Sequence, residues 1–315
     1  MGIRNKILLN KLNLLILLGL VTSISFSGCM ENKVSAADDI NTSILLINNA
    51  DSKYNNVLGL LQDGLYSSAR ITLEASKMDY EESLHILENA ATDYEEEKQE
   101  IEYYKTIGSI SLDKIAVLES LISCMEHFEK AVAYMDSNDF ESIRKELRLA
   151  KENLDDSQVP LKSASTKIDT IDLKAVPIQD KSNIIMTKNE LNQSEKMNLE
   201  LGELLLGFHP FVNGFENIMN ASEFIEEEEW DKAALEIQEA SLEFSESTEK
   251  FEALKDSEFS EISVSAITIY SCLTEMKELL VHLENGCNYA DEGKDTKATA
   301  EFNLALEANE AIYSF

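Results

Sequence analysis

The chain reads as an all-α protein on three observations. Apolar residues recur at steps of three and four through residues 41–157 and 181–315, the spacing that lines one face of a helix. Breakers are scarce, with 3 prolines and 11 glycines in 315 residues, a composition that favours long helices. A helix–turn–helix pattern repeats four times. Hydrophobic content of 44% is enough to fill a core, which sets the chain apart from disordered acidic tails.

Residues 1–28 read as an export signal. Arg4, Lys6 and Lys11 form a basic head, residues 12–26 are mostly apolar, and Ser27 and Gly28 are small residues ahead of Cys29. Asn13, Thr22, Ser23, Ser25 and Ser27 dilute the ends, so the segment fits a signal peptide better than a membrane-spanning helix, which needs about 20 apolar residues. The string Phe26-Ser27-Gly28-Cys29 resembles the lipobox of bacterial and archaeal lipoproteins. That resemblance implies a lipid on the Cys29 thiol, cleavage just before it, and residues 29–40 as a short lipidated tether. Cleavage near Val34-Ser35-Ala36-Ala37 with release, or retention of the segment as an uncleaved anchor, are the competing readings.

The four repeats align on Tyr66, Phe140, Trp230 and Asp295. Twelve residues earlier stand Tyr54, Phe128, Ile218 and Leu283, and six earlier stand Leu60, Tyr134, Phe224 and Tyr289. Seven later come Leu73, Leu147, Ile237 and Phe302, and ten later the small residues Ser76, Ala150, Ala240 and Ala305. Each unit is expected to be a helix, a tight turn and a second helix that packs closely through the small residue. Gly64, Asn138 with Asp139, and Gly293 with Asp295 supply helix-stop and N-cap residues, while the joint at 226–230 has none. Gly64-x-Tyr66-x-x-Ala69 and Trp230-x-x-Ala233 resemble the inner turn of tetratricopeptide repeats. Those recur about every 34 residues, whereas the reference positions here lie 74, 90 and 65 apart, so the family's peptide groove is not carried over.

Four long antiparallel hairpins in two four-helix halves follow as the expected architecture, either a bundle or a short solenoid. Hairpins 1 and 2 occupy 41–157 and hairpins 3 and 4 occupy 181–315. Residues 158–180 hold Pro160 and Pro177 among several Ser and Thr, and read as the linker.

Charge excludes one class of function. The chain has 59 acidic against 27 basic residues, a net charge of -32, which repels phosphate backbones. No nucleic-acid partner is expected. A solvated acidic surface is the plain explanation, and attraction of divalent cations or a basic partner is the sharper one. Cys124, Cys272 and Cys287 are left after Cys29; they read as buried free thiols without a disulfide framework, the alternative being a bridge from Cys272 or Cys287 to Cys124.

Catalytic and metal motifs are fragmentary. Glu82-x-x-His85 has the spacing used in di-iron bundles, but that chemistry needs a second such motif and two further glutamates. Cys124-x-x-His127 and His282 with Cys287 lack a second cluster. Glu95–Glu97 and Glu226–Glu229 lie in helical sequence without a calcium-loop glycine. No phosphate loop, nucleophile elbow or zinc-protease motif occurs. No enzyme activity, metal site or cofactor is therefore expected. Asn41 and Asn192 begin accessible glycosylation sequons, and Asn220 lies on a denser helix. Pro210, after His209, is expected to kink a long helix.

The expected protein is a lipoprotein anchored by Cys29 on the extracytoplasmic face of the cell membrane. Its expected role is a non-catalytic interaction or structural module of the envelope with a protein partner. The alternative is a small-molecule or metal-binding lipoprotein with its site between helices near Pro210.

Overall fold

A computed structural model describes residues 35–173, 176 and 180–313. Cys29 and the signal segment lie outside the described residues. The described chain is all-α. Its helices are α1 (Ser35–Gln62), α2 (Tyr66–Asn89), α3 (Glu95–Met135), α4 (Phe140–Asp156), α5 (Gln158–Asp169), α6 (Lys181–Glu226), α7 (Trp230–Leu254), α8 (Ser260–Asp291) and α9 (Asp295–Tyr313). Among the described residues no helix is long and apolar enough to cross a membrane.

The reference residues Tyr66, Phe140, Trp230 and Asp295 are each the first residue of a helix. Two positions before each lies a left-handed residue: Gly64 (φ 70°), Asn138 (φ 54°), Glu228 (φ 60°) and Gly293 (φ 70°). All four joints close with the same pair of hydrogen bonds. Leu65 N–H donates to Leu60 O (2.8 Å) and Gly64 N–H to Leu61 O (3.0 Å). Asp139 and Asn138 donate to Tyr134 and Met135, Glu229 and Glu228 to Phe224 and Ile225, and Lys294 and Gly293 to Tyr289 and Ala290. This is the Schellman motif, which satisfies carbonyls orphaned at a helix end. Glycine or asparagine suits the left-handed position at three joints. At the fourth Glu228 adopts it despite its Cβ.

Across the joints, small residues let backbones approach. Ser76, Ala150, Ala240 and Ala305 are 0–2% exposed. Ser76 Oγ donates to Ala50 O (2.8 Å), and Ser247 Oγ to Gly207 O (2.9 Å). Ser43 and Ser83 each direct a hydroxyl at the other's carbonyl, both at 3.2 Å. Rings fill the space that glycines leave: a Cβ added at Gly286 would sit 2.5 Å from Phe302 Cε1, and one at Gly214 would collide with the Phe244 ring.

The described residues divide into two compact units. The first holds 35–126 together with described residues of 152–199, and the second holds 127–151 and 200–313. This division cuts across the expected halves 41–157 and 181–315. The reason lies in α3 and α6, 41 and 46 residues long, whose apolar spacing runs on without a break where one unit ends. Within the second unit, Phe208 meets Phe128 and Phe251 edge-on at 5.4 and 5.5 Å, and Phe215 meets Phe211 and Phe244 at 4.8 and 5.5 Å.

The expected linker 158–180 is corrected at its start, because residues 158–169 form α5. Leu161, Ala164 and Ile168 are 0–3% exposed there and continue the three-four seam of Leu147, Ala150, Leu154 and Ser157. Pro160 falls in the first turn of α5, where its missing N–H needs no intrahelical acceptor. Pro210 lies inside α6, which remains helical on both sides of it.

Glu228→Gly is expected to stabilise the fold by about 1 kcal/mol, because glycine takes the left-handed position without steric cost. Gly286→Ala is expected to cost about 1–3 kcal/mol through overpacking against Phe302. Urea unfolding midpoints at constant slope measure both.

Candidate functional site

The three-four seam of α3 runs Ile107, Ser111, Lys114, Leu118, Leu121 and Met125, so it places an ammonium in a core register. Lys114 is 8% exposed. On α1, Asp51 is also 8% exposed and stands beside the seam residues Ala50 and Tyr54. From α2 comes Tyr80, 2% exposed. These elements bring a carboxylate, an ammonium and two phenols together inside the first unit. Full burial of charged residues is rare unless they are paired.

Tyr80 O–H donates to Asp51 Oδ1. Lys114 Nζ lies 5.2 Å from the centre of the Tyr54 ring, within cation–π range. Asp51 Oδ2 and Tyr54 Oη are buried without a hydrogen-bond partner among the described residues. Burial pushes the Asp51 carboxyl up to about 6, against the opposing pull of the Tyr80 hydrogen bond and the Lys114 charge. Burial lowers Lys114, opposed by the charges of Asp51 and of Glu190 on α6. Tyr54 and Tyr80 are both raised, by burial first and then by the Asp51 charge.

The sign of the stability effect follows. Asp51 holds its proton more tightly in the fold than in the unfolded chain, so the fold gains stability as pH falls from about 6 toward 3.8. A shift of that size corresponds to about 3 kcal/mol between the two protonation states. The cluster thus holds ionised groups at a cost to stability, and buried titratable clusters of this kind mark candidate functional sites.

The residues singled out in the sequence fall elsewhere. Asn41 is half-buried on α1 and Asn192 is exposed on α6, both inside helices. The hydroxyl-bearing residues of their sequons, Ser43 and Ser194, are 0% and 4% exposed. Glu82 and His85 stand on the open side of α2. His127 Nδ1 meets Glu146 Oε2 at 2.6 Å, and His282 Nδ1 meets Glu301 Oε2 at 2.7 Å. Both histidines lie 13 residues before a reference position and both glutamates 6 after, so two hairpins carry the same clip. Cys124, Cys272 and Cys287 are not in disulfides; Cys124 and Cys287 are buried as expected, Cys272 is only half-buried, and burial pushes Cys287 up to about 11. No group of three or more metal-ligating side chains forms among the described residues. His209, next to Pro210, is half-buried, and burial and the Arg144 charge lower its pKa. Arg144 pairs with Glu216, about two turns beyond His209 along α6.

Sequence reasoning treated Tyr54 as core and passed over Asp51, Tyr80 and Lys114. The available signal was Lys114 itself, a charge on an otherwise apolar seam.

At pH 7.5, Lys114→Met is expected to destabilise the chain by about 3 kcal/mol, because it strips the compensating charge from buried Asp51. The double variant Asp51→Asn/Lys114→Met is expected to recover most of that loss. Chemical denaturation of the two single variants and the double variant tests this coupling.

Compared with protein-family models, curated proteins and solved structures, the chain matches none.

Proposed function

We propose that the chain is an extracytoplasmic helical lipoprotein, held to the cell membrane by lipid on Cys29, that acts as a non-catalytic interaction module of the envelope. The address rests on the basic head, the apolar stretch and Ser27-Gly28-Cys29. One chain of lipid binds reversibly and two hold firmly, so a lipoprotein-type anchor would keep the helices at the membrane.

The observation that carries the interaction reading is a repeated outward face. Ile71 and Met78 on α2 are 74% and 61% exposed, and Leu235 and Leu242 on α7 are 55% and 72% exposed. Both pairs stand 5 and 12 residues after a reference position, so hairpins in different units present the same apolar spacing. Exposed carboxylates share each face: Glu74 and Glu82 with the first pair, Glu239 and Glu246 with the second. The rows Ile71-Glu74-Met78-Glu82 and Leu235-Glu239-Leu242-Glu246 step by threes and fours, which keeps each on one side of its helix. Single exposed apolar residues need no explanation. Recurrence at one register, flanked by acid, suits a cationic amphipathic helix of an envelope partner. Its apolar side would cover the pairs and its Lys or Arg residues would meet the glutamates.

The anchor is tested by membrane fractionation and intact mass of the native chain beside Cys29→Ser. The native chain is expected to sediment with membrane and carry lipid mass, and the variant to do neither. Equal behaviour of the two overturns the anchor. The face is tested by titrating the chain with a helical Leu/Lys amphipathic peptide. Met78→Glu/Leu242→Glu is expected to weaken binding by at least tenfold although it adds negative charge. Unchanged or tighter binding would show attraction by charge alone and remove the apolar face from the reading.

A further inference from the structure

We propose that Asp51, Tyr80 and Lys114 form a proton-operated clasp in the first unit, which grips α1, α2 and α3 together in mild acid and eases as the solution turns neutral. The geometry gives the proton one place to go. Asp51 Oδ1 already accepts from Tyr80 O–H, whereas Oδ2 is buried without a partner. Proton uptake from water at Oδ2 leaves the Tyr80 hydrogen bond in place and removes the carboxylate charge from a site that is 8% exposed. No other bond is made or broken.

The groups facing Asp51 come from every element around it. Tyr54 lies one turn along α1, Tyr80 comes from α2, and Ser111 and Lys114 come from α3. Glu190 on α6 acts on both Lys114 and Tyr54. Lys114 is the cation that compensates Asp51. When Asp51 becomes neutral, the Glu190 charge continues to favour the ammonium, so the proton is not simply passed to a different imbalance. The nearby Lys53 is held by Asp79 at 2.6 Å, at a more exposed position.

Above the Asp51 midpoint the folded cluster contains a buried carboxylate, and opening the helices to water relieves its desolvation. Below the midpoint that incentive to open is gone. With a folded midpoint of about 6 and an unfolded one of 3.8, the opening equilibrium falls about tenfold between pH 7.5 and pH 5. The high acidity of the whole chain also favours the fold in acid, through reduced self-repulsion. The clasp differs from that background in depending on one side chain.

The test uses the full chain labelled with ¹³C at aspartate Cγ, followed by carboxyl NMR and amide hydrogen exchange. One aspartate signal, absent from Asp51→Asn, is expected to titrate near pH 6. Exchange in the α1, α2 and α3 segments around the cluster, corrected for intrinsic rates, is expected to slow about tenfold from pH 7.5 to pH 5. Asp51→Asn is expected to lose that increment. If Asp51→Asn fails to fold, Tyr80→Phe carries the test. Deleting the hydrogen bond that favours the carboxylate must move the midpoint upward. A signal that titrates near 4, an unmoved midpoint in Tyr80→Phe, or equal slowing of exchange in native chain and Asp51→Asn overturns the proposal.

Discussion

Close contact between antiparallel helices is the constraint on which the rest of this structure depends. A helix ends in a left-handed residue, the chain reverses within three residues, and the next helix starts in a fixed register. That register decides what faces what. Ten residues into each second helix the chain can carry only a small side chain, and Ser76, Ala150, Ala240 and Ala305 meet that demand. Where the approach is closest, serine hydroxyls reach the opposite backbone, as Ser76 does to Ala50 and Ser247 to Gly207. Each such bond satisfies the hydroxyl that burial would otherwise leave unpaired.

The same closeness explains why the Asp51 cluster is tense. Once α1 and α2 are drawn together through Ser43, Ala50, Ser76 and Ser83, the side chains beside the seam have no route to water. Asp51 and Tyr80 are therefore forced to serve each other. An apolar side chain in place of Lys114 would match Ile107, Leu118 and Leu121 along α3. The ammonium stands there instead, among aromatic and carboxylate groups that accommodate it only in part. Clusters like this rarely raise stability over a well-packed apolar alternative. Their value lies in responding to something, and the species that a buried carboxyl senses most directly is the proton.

Much of the fold was legible in the sequence because helices leave a periodic record. The reference column Tyr66, Phe140, Trp230 and Asp295 marks four helix starts, and the joint at 226–230 kept its register although Glu228 offers no turn chemistry. Tertiary packing overrode local preference there. The misjudged segment was 158–169, where Pro160 and the serines drew attention from Leu161, Ala164 and Ile168. A proline in a first turn reads like a proline in a loop unless the seam is followed through it. The polar cluster was legible only as one lysine out of pattern. Its partners Tyr80, Tyr54 and Asp51 stand 34 to 63 residues before it in sequence, and one chain carries no mark of which charges the folding brings together.

Inward and outward faces of these helices follow different chemical rules, and that separation bears on function. Inside, every hairpin repeats the same small position, and the Asp51–Lys114 cluster is an exception to that apolar scaffold, as are buried Glu146 and Asp180. Outside, carboxylates dominate, and apolar residues recur at shared positions on α2 and α7. An acidic exterior keeps an extended helical surface soluble and discourages association between like-charged copies. Its charge repels phosphate backbones and attracts cationic segments. On the proposed reading a scaffold of this kind needs no cavity, because its recognition elements would be ridges on helices whose spacing the interior already fixes. Proton uptake at Asp51 would act on the rigidity of the hairpin that carries Ile71 and Met78. The buried cluster and one outward face therefore share the same helix, α2, and a change in the grip on Tyr80 would be felt on the side of α2 that carries Ile71 and Met78.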